Sequence, residues 1–351
     1  MLDVVLASGG TGGHLVPALA LFRDLEISGV QVKICGIGLG RVKTLEGEAE
    51  KLIDLEMGKS PKSGKGKLIH LMKTTVRARR VLKSSKPKVV VGFGGLASMP
   101  TLLAAVSLRI PILLFEPNRV HGRVNRLLGK VSKGCFVPFH SQDLQPIGCK
   151  FIPVKPPILN HEKFSKEEAR ERLGLRKDKL TIVVFGGSQG AESLNRQIPK
   201  GMNSESQILH ICGKKEHLED VQNAYITAGV HAVVLEYLTD FHLAWSAADL
   251  AICRAGALSI LESIHHHVPT ILIPLESSKD NHQFHNAKWA GEVVGGSHMI
   301  EEKEFSLEQL HTLIEKIDFE KLRKKMSEHI KNQPTDEMRT YLMDNYIGEN
   351  L

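Results

Sequence analysis

Residues 4–22 read VVLASGGTGGHLVPALALF, an apolar strand that breaks into a glycine-rich loop and resumes as an apolar helix. A strand, a glycine turn and a helix together open a βαβ unit. Residues 182–190, IVVFGGSQG, repeat the arrangement in the second half. Further on, VVGFGGLASMPTLLAA (90–105) leads into IPILLF (110–115), and AICRAGALSILESI (251–264) leads into VPTILIP (268–274). The chain therefore reads as a duplicated doubly wound unit. The expected fold class is α/β, with two Rossmann-like parallel-sheet domains facing across a cleft and ligand at the carboxyl ends of the strands.

Short apolar runs place strands at 3–7, 31–37, 88–93, 111–115 and 134–137, then at 180–185, 207–212, 231–235, 249–253 and 270–274. Between the halves, Phe151–Ile158 holds three prolines in eight residues, which predicts a stiff linker without helix or central strand. The tail beyond Ser306 reads as helical, opening with a Ser306/Gln309 capping box.

The 351 residues are 42% hydrophobic and 24% charged, which excludes a disordered, collagenous or coiled-coil chain. No apolar run approaches the ~18 residues of a membrane span. The N-terminus shows no basic leader or cleavage site, so no signal peptide is expected. Five cysteines without a C-x-x-C pair suit a reducing compartment. The net charge of +7 is uneven: residues 1–160 carry 24 Lys+Arg against 10 Asp+Glu, and residues 161–351 carry 22 against 29. No acidic residue falls between Glu56 and Glu116, an interval with 12 basic ones.

The first glycine loop, Ser8 to His14, fits an anion or sugar approached by backbone as well as it fits a tight structural turn. It is not a dinucleotide fingerprint. Leu15 stands where the last glycine belongs, and Cys35-Gly-Ile-Gly38 lacks an acid for the ribose. None of the three glycine loops ends in Gly-Lys-Ser/Thr, and Gly58-Lys59-Ser60 has Ile53 where a P-loop needs its first glycine, which excludes a P-loop. In the second loop Ser188 fits a phosphate donor or a helix cap, with Gln189 beside it; the third, Gly92–Gly95, also ends a strand. Three such loops in two matched halves point to a nucleotide-sugar enzyme. Glu262, on the helix after Arg254-Ala-Gly256, has the chemistry to accept both ribose hydroxyls, and Asp280–Asn286 gathers sugar-binding side chains. His282 and His285 lack a partner carboxylate at zinc spacing, so no metal is assigned. His265–His267 is expected to end a helix and carries no assigned chemistry.

GGTGGH (9–14), FGG (93–95), Glu116-x-Asn118, GGSQGAxxLN (186–195), CRAGALSxxE (253–262) and DNHQ followed by Asn286-Ala287 occur in one order along the chain. In these motifs the sequence resembles the MurG family, whose members transfer GlcNAc from UDP-GlcNAc to undecaprenyl-pyrophosphoryl-MurNAc-pentapeptide, lipid I. The resemblance covers the chain to about residue 345 and implies a GT-B fold. Expected domains are 1–155 for acceptor and membrane and 156–335 for UDP-GlcNAc, with a helix at 336–351 packing back on the first. It implies an inverting reaction that forms the β-1,4 bond of lipid II in peptidoglycan synthesis. His14 becomes the candidate general base, since imidazole titrates near neutrality.

Thr11, Gly12, Gly13, Gly94, Gly95, Glu116 and Asn118 are implied for the acceptor and its diphosphate. Ser188 and Gln189 are implied for the departing UDP, Glu262 for the ribose and the backbone near Leu238 for uracil. Gln283 and Asn286, with His282, are implied for the GlcNAc hydroxyls. Asn195, Arg254, Gly256, Ala257 and Leu258 complete the donor set. No tightly bound cofactor is implied. Departures from the family pattern are Leu96 in place of a common Tyr, Phe115-Glu-Pro-Asn118 in place of H-E-Q-N, and Ile158 in place of an Arg.

Lys59–Lys67 reads as a basic loop and Lys65–Lys86 as a helix. Leu68, Met72 and Val76 form one stripe and Leu71, Ala78 and Leu82 another, among Lys73, Arg77 and Arg80. With the acid-free interval, this predicts docking on an anionic membrane surface, peripherally on the cytoplasmic face of the inner membrane. Nucleic acid is not expected, because aromatics total 5% and no binding motif occurs. Other cell-wall synthesis proteins are candidate partners. Two alternatives stand beside the transferase: a UDP-GlcNAc epimerase of the same fold, and a non-catalytic nucleotide-sugar binder.

Overall fold

A computed structural model describes residues 1–9, 12–41, 49–56, 64–139, 144–159, 164–187 and 190–348. They divide into two compact units, one of residues 1–117, 121–159 and 333–351, the other of 118–120 and 160–332.

In the first unit β1 (Val4–Ala7), β2 (Val32–Gly36), β3 (Leu52–Asp54), β4 (Val89–Gly92), β5 (Ile112–Phe115), β6 (Gly134–Val137) and β7 (Phe151–Pro153) form one parallel sheet. Their spatial order is β3-β2-β1-β4-β5-β6-β7, so the chain reverses direction across the sheet between β1 and β4. Strands β1, β4, β5 and β6 are buried along their whole length. That is why they read as unbroken apolar runs rather than alternating ones. Helices α1 (Gly12–Ile27), α2 (Gly64–Ser85), α3 (Met99–Ser107) and α4 (Arg123–Leu128) connect them.

The second unit repeats the plan. Its strands are β8 (Leu180–Phe185), β9 (Ser206–Ile211), β10 (His231–Leu235), β11 (Leu250–Cys253), β12 (Thr270–Leu272) and β13 (Ser297–Met299). All pair in parallel in the order β10-β9-β8-β11-β12-β13, with the reversal between β8 and β11. The helices are α5 (Lys166–Arg172), α6 (Glu192–Gln197), α7 (Leu218–Thr227), α8 (Phe241–Ala247), α9 (Ala257–His266), α10 (His282–Trp289), α11 (Leu307–Lys316) and α12 (Phe319–Lys331). Ser306 caps α11 by accepting the Gln309 amide at 3.1 Å. The last helix, α13 (Met338–Leu342), belongs to the first unit, where Met338 and Leu342 join the core and Tyr341 packs edge-on to Phe136.

Phe151–Ile158 is not a free linker. It opens with β7 at the sheet edge, where a proline is tolerated because one side of the strand makes no ladder. Val154 continues the pairing by donating to the Val137 carbonyl at 2.9 Å, and both Val154 and Ile158 are buried.

Candidate active site

In an open parallel sheet, ligands bind beyond the carboxyl ends of the strands where the order reverses. At the first reversal the chain leaves β1 through Ser8 and Gly9. A β-carbon on Gly36 would stand 1.5 Å from the Ser8 carbonyl oxygen, so only glycine lets the ends of β1 and β2 approach this closely. Ser8 Oγ donates to the His14 carbonyl at 2.9 Å and ties the loop to the first turn of α1. Beyond β4, Gly94 and Gly95 take φ of +82° and +72°. A β-carbon at Gly94 would lie 3.3 Å from His14 Cδ2, and one at Gly95 3.3 Å from Cε1 and Nδ1. The two glycines thus wrap the imidazole of His14. Gly12 and Gly13 lie in the same first turn of α1; Thr11 lies outside the described residues.

Glu116 bonds to neighbours within its own unit. It is buried, and its Oε2 accepts the Gly122 amide at 2.7 Å and Asn125 Nδ2 at 2.9 Å, which pins the chain between β5 and α4. Asn125, which no motif singled out, also donates to the Phe115 carbonyl and backs the Gly94 turn. Leu96, in the turn before α3, is 67% exposed.

At the second reversal, Gly186, Gly187 (φ +88°) and Gly190 (φ +71°) follow β8; Ser188 and Gln189 lie outside the described residues. A β-carbon on Gly190 would stand 2.2 Å from the Cys212 carbonyl oxygen, so the loop is folded tightly against the end of β9. Asn195 bonds inward. It is buried, donates to that same Cys212 carbonyl at 3.0 Å and pairs with His210 Nε2 at 3.0 Å. Because the Asn195 amide donates to the carbonyl, its oxygen accepts, which places the His210 proton on Nε2 and leaves Nδ1 to accept from the Tyr225 hydroxyl at 3.0 Å. Burial drives the His210 pKa down to about 3.

Arg254 is likewise turned inward. Its guanidinium bonds Ser193 Oγ at 2.8 Å, Glu302 Oε1 at 2.5 Å and the Ile273 carbonyl at 3.1 Å, because a nearly buried cation must be fully paired. Gly256 caps α9, whose first residues, Ala257 and Leu258, present helix-start amides. Glu262, further along α9, takes the Trp245 indole N–H on Oε2 at 3.0 Å. Desolvation raises its carboxyl to about 7, against the opposing effect of that bond. Leu238, between β10 and α8, packs on the core.

Gln283 opens α10 and accepts the Leu275 amide on Oε1 at 2.9 Å, while its amide nitrogen donates to nothing among the described residues. His282 bonds the Lys279 carbonyl through Nδ1 at 2.8 Å. Asn286 bonds within its own unit. It is 2% exposed, its nitrogen donates to Asn118 Oδ1 at 3.1 Å and the Ala255 carbonyl at 3.2 Å, and its oxygen accepts the Arg119 amide at 2.9 Å. Both of its N–H donors are used, and two of the three bonds hold the Asn118–Arg119 segment. Asn118 is that partner. His267 ends α9 in the left-handed region (φ +56°), while His266 pairs with His242 at 2.9 Å, a contact the sequence does not announce.

On α2 the buried stripe is Thr74, Ala78 and Leu82. Leu71 is half-buried on that side and leaves the outward set. Leu68 and Met72, each 60% exposed, face out with Ile69 and Val76, among exposed Lys73, Arg77 and Arg80. Arg77 also donates to the Glu56 carbonyl. Residues 59–63 of the basic loop lie outside the described residues. No helix among the described residues is long and apolar enough to cross a membrane.

Two parallel sheets of matching order, each with glycine loops at its reversal, give the GT-B fold of glycosyltransferases. The Glycosyltransferase family 28 N-terminal domain matches residues 4–137 and the family 28 C-terminal domain matches 181–340. The chain is 33% identical over 336 residues to the UDP-N-acetylglucosamine–N-acetylmuramyl-(pentapeptide) pyrophosphoryl-undecaprenol N-acetylglucosamine transferase of Deinococcus deserti, covering 86% of each chain. It is 34% identical to the protein of that name from Protochlamydia amoebophila, covering 90% of this chain and 89% of the relative. The crystal structure of Acinetobacter baumannii MurG superposes with a TM-score of 0.76 at 26% identity, covering 99% of both chains. TcCGT1 in complex with UDP shares the fold, with a TM-score of 0.70 at 15% identity over 97% of this chain and 96% of its own. The chain belongs to the family of MurG-type N-acetylglucosamine transferases.

Proposed function

We propose that this protein transfers GlcNAc from UDP-GlcNAc to the C4 hydroxyl of MurNAc in lipid I, giving lipid II. The observation that carries the reading is the seating of His14 against Gly94 and Gly95 at the first sheet reversal. His14 takes the proton of the C4 hydroxyl as that oxygen bonds to C1 of GlcNAc. The bond from C1 to the UDP oxygen breaks, UDP leaves with the electron pair, and the configuration inverts. Glu262 accepts the ribose hydroxyls, and the Gln283 amide nitrogen donates to the sugar. Ser188 and Gln189 serve the diphosphate. Gly12 and Gly13 present amides to the acceptor pyrophosphate.

Transfer of labelled GlcNAc to a lipid I analogue tests this. The expected result is one UDP released per disaccharide formed, with His14→Ala lowering kcat by about 10²–10⁴. Binding of UDP-GlcNAc with neither product nor UDP would leave a binder. An epimeric UDP-sugar formed without acceptor would make it an epimerase.

The exposed Leu68–Ile69–Met72–Val76 stripe supports peripheral docking on anionic lipid at the cytoplasmic face of the inner membrane, each nearby Lys or Arg contributing about 1 kcal/mol. Sedimentation with phosphatidylglycerol vesicles, weakened by salt and by Lys73→Glu with Arg80→Glu, is the expected result. Equal binding to phosphatidylcholine would refute it.

A further inference from the structure

Trp245 belongs to none of the motifs and has no part in the chemistry above. It sits on α8 and is 1% exposed. A buried indole N–H requires an acceptor, and here the acceptor is the carboxylate of Glu262, at 3.0 Å. The ring itself has little freedom. Phe185 and Phe241 meet it edge-on at centroid distances of 5.5 and 5.9 Å, and His266 lies nearly parallel to it at 6.4 Å. Glu262 is therefore asymmetric. Oε2 is fixed by a donor that cannot move, while Oε1 accepts no hydrogen bond among the described residues and the side chain keeps partial solvent access. A carboxylate held by one oxygen and open at the other is oriented before a ligand arrives, which lowers the cost of ordering it on binding.

We propose that Trp245 is a positioning residue for the donor substrate, its indole N–H holding the Glu262 carboxylate in the orientation that receives the ribose hydroxyls. This rests on the reading of Glu262 as the ribose acceptor. The same bond favours the ionised carboxylate, which offers more acceptor sites than the protonated acid.

Trp245→Phe keeps an aromatic ring in the cluster and removes the donor. The expected outcome is a KM for UDP-GlcNAc raised about tenfold with little change in kcat. The preference for UDP over 2′-deoxy-UDP and 3′-deoxy-UDP as inhibitors should fall toward unity. Glu262→Gln, measured in parallel, should lose the same preference. If Trp245→Phe keeps the preference and Glu262→Gln loses it, the inference fails and the ribose reading stands. If both variants keep it, the ribose reading fails and the inference with it. The chain has two tryptophans, so ¹⁵N-indole labelling of the unaltered protein gives two signals, assigned with Trp289→Phe. The Trp245 signal should shift on adding UDP and in Glu262→Gln; a signal unmoved by both overturns the proposal even if Trp245→Phe does not fold.

Discussion

The imidazole of His14 rests on the backbone of Gly95, so closely that a β-carbon there would stand 3.3 Å from both Cε1 and Nδ1. Gly95→Ala therefore acts twice. It places a side chain at φ +72°, which costs about 1–2 kcal/mol, and it pushes the ring out of its seat. We expect kcat to fall by roughly 10²-fold, since small displacements of a catalytic group carry that cost. KM for UDP-GlcNAc should change little, because the residues proposed for the donor, Glu262 and Gln283, lie in the other unit. A variant with wild-type kcat in steady-state assays would show that the ring is not held there for catalysis.

Asn286 makes three hydrogen bonds from a buried amide, to Asn118, Ala255 and Arg119. Asn286→Asp would bring a carboxylate oxygen against two acceptors, the Asn118 side-chain oxygen and the Ala255 carbonyl. It should be more destabilising than Asn286→Ala, by about 1–3 kcal/mol. Scanning calorimetry decides this: the Asp variant should melt below the Ala variant, whereas a residue serving only sugar hydroxyls would leave the two melting points alike.

Of the ten strands legible in the sequence, nine are largely buried, and the tenth, β10, lies half-buried at a sheet edge but keeps the apolar run Ala232–Leu235. The three it does not announce, β3, β7 and β13, have three residues each and lie at sheet edges, where a strand needs little apolar surface. The glycine loops were readable because close backbone approach, as at Gly36 and Gly190, excludes every other residue. The polar motif residues were less so. Asn195, Arg254, Glu116 and Asn286 stand in motifs beside the candidate site, yet each bonds inward. A motif shows that a polar residue is required, but its hydrogen-bond partners come from elements distant in sequence. Trp245 on α8 and Glu262 on α9 meet with β11 between them in sequence, and no spacing rule announces that pairing.

Glu262, with its carboxyl raised to about 7 by burial, makes nucleoside affinity depend on pH. Ribose hydroxyls are donors to a carboxylate, so binding favours the anion and releases a proton below pH 7. Uridine is the suitable probe, having no phosphate to titrate in this range. Its affinity should fall about fivefold to tenfold between pH 7.5 and pH 6 in titration calorimetry. Glu262→Gln should bind weakly at both, and a wild-type affinity independent of pH would count against the ribose assignment.

His210 supplies one acid-sensitive element of the second unit. Its native pKa is held near 3 by burial, well below the unfolded value, so the folded protein keeps the ring neutral where the unfolded chain takes up a proton. The unfolded state then binds more protons between about pH 6.5 and 3, and stability is lost as pH falls through that window, by at most about 1.4 kcal/mol per unit from this group. His210→Gln should be less stable at pH 7, because the Tyr225–His210–Asn195 chain is broken. Its stability should nonetheless decline less steeply on acidification. Urea unfolding at pH 7.5, 6 and 5 measures both. The slope of stability against pH should be shallower in the variant by up to one proton, and parallel slopes would mean that His210 is already protonated in the folded protein.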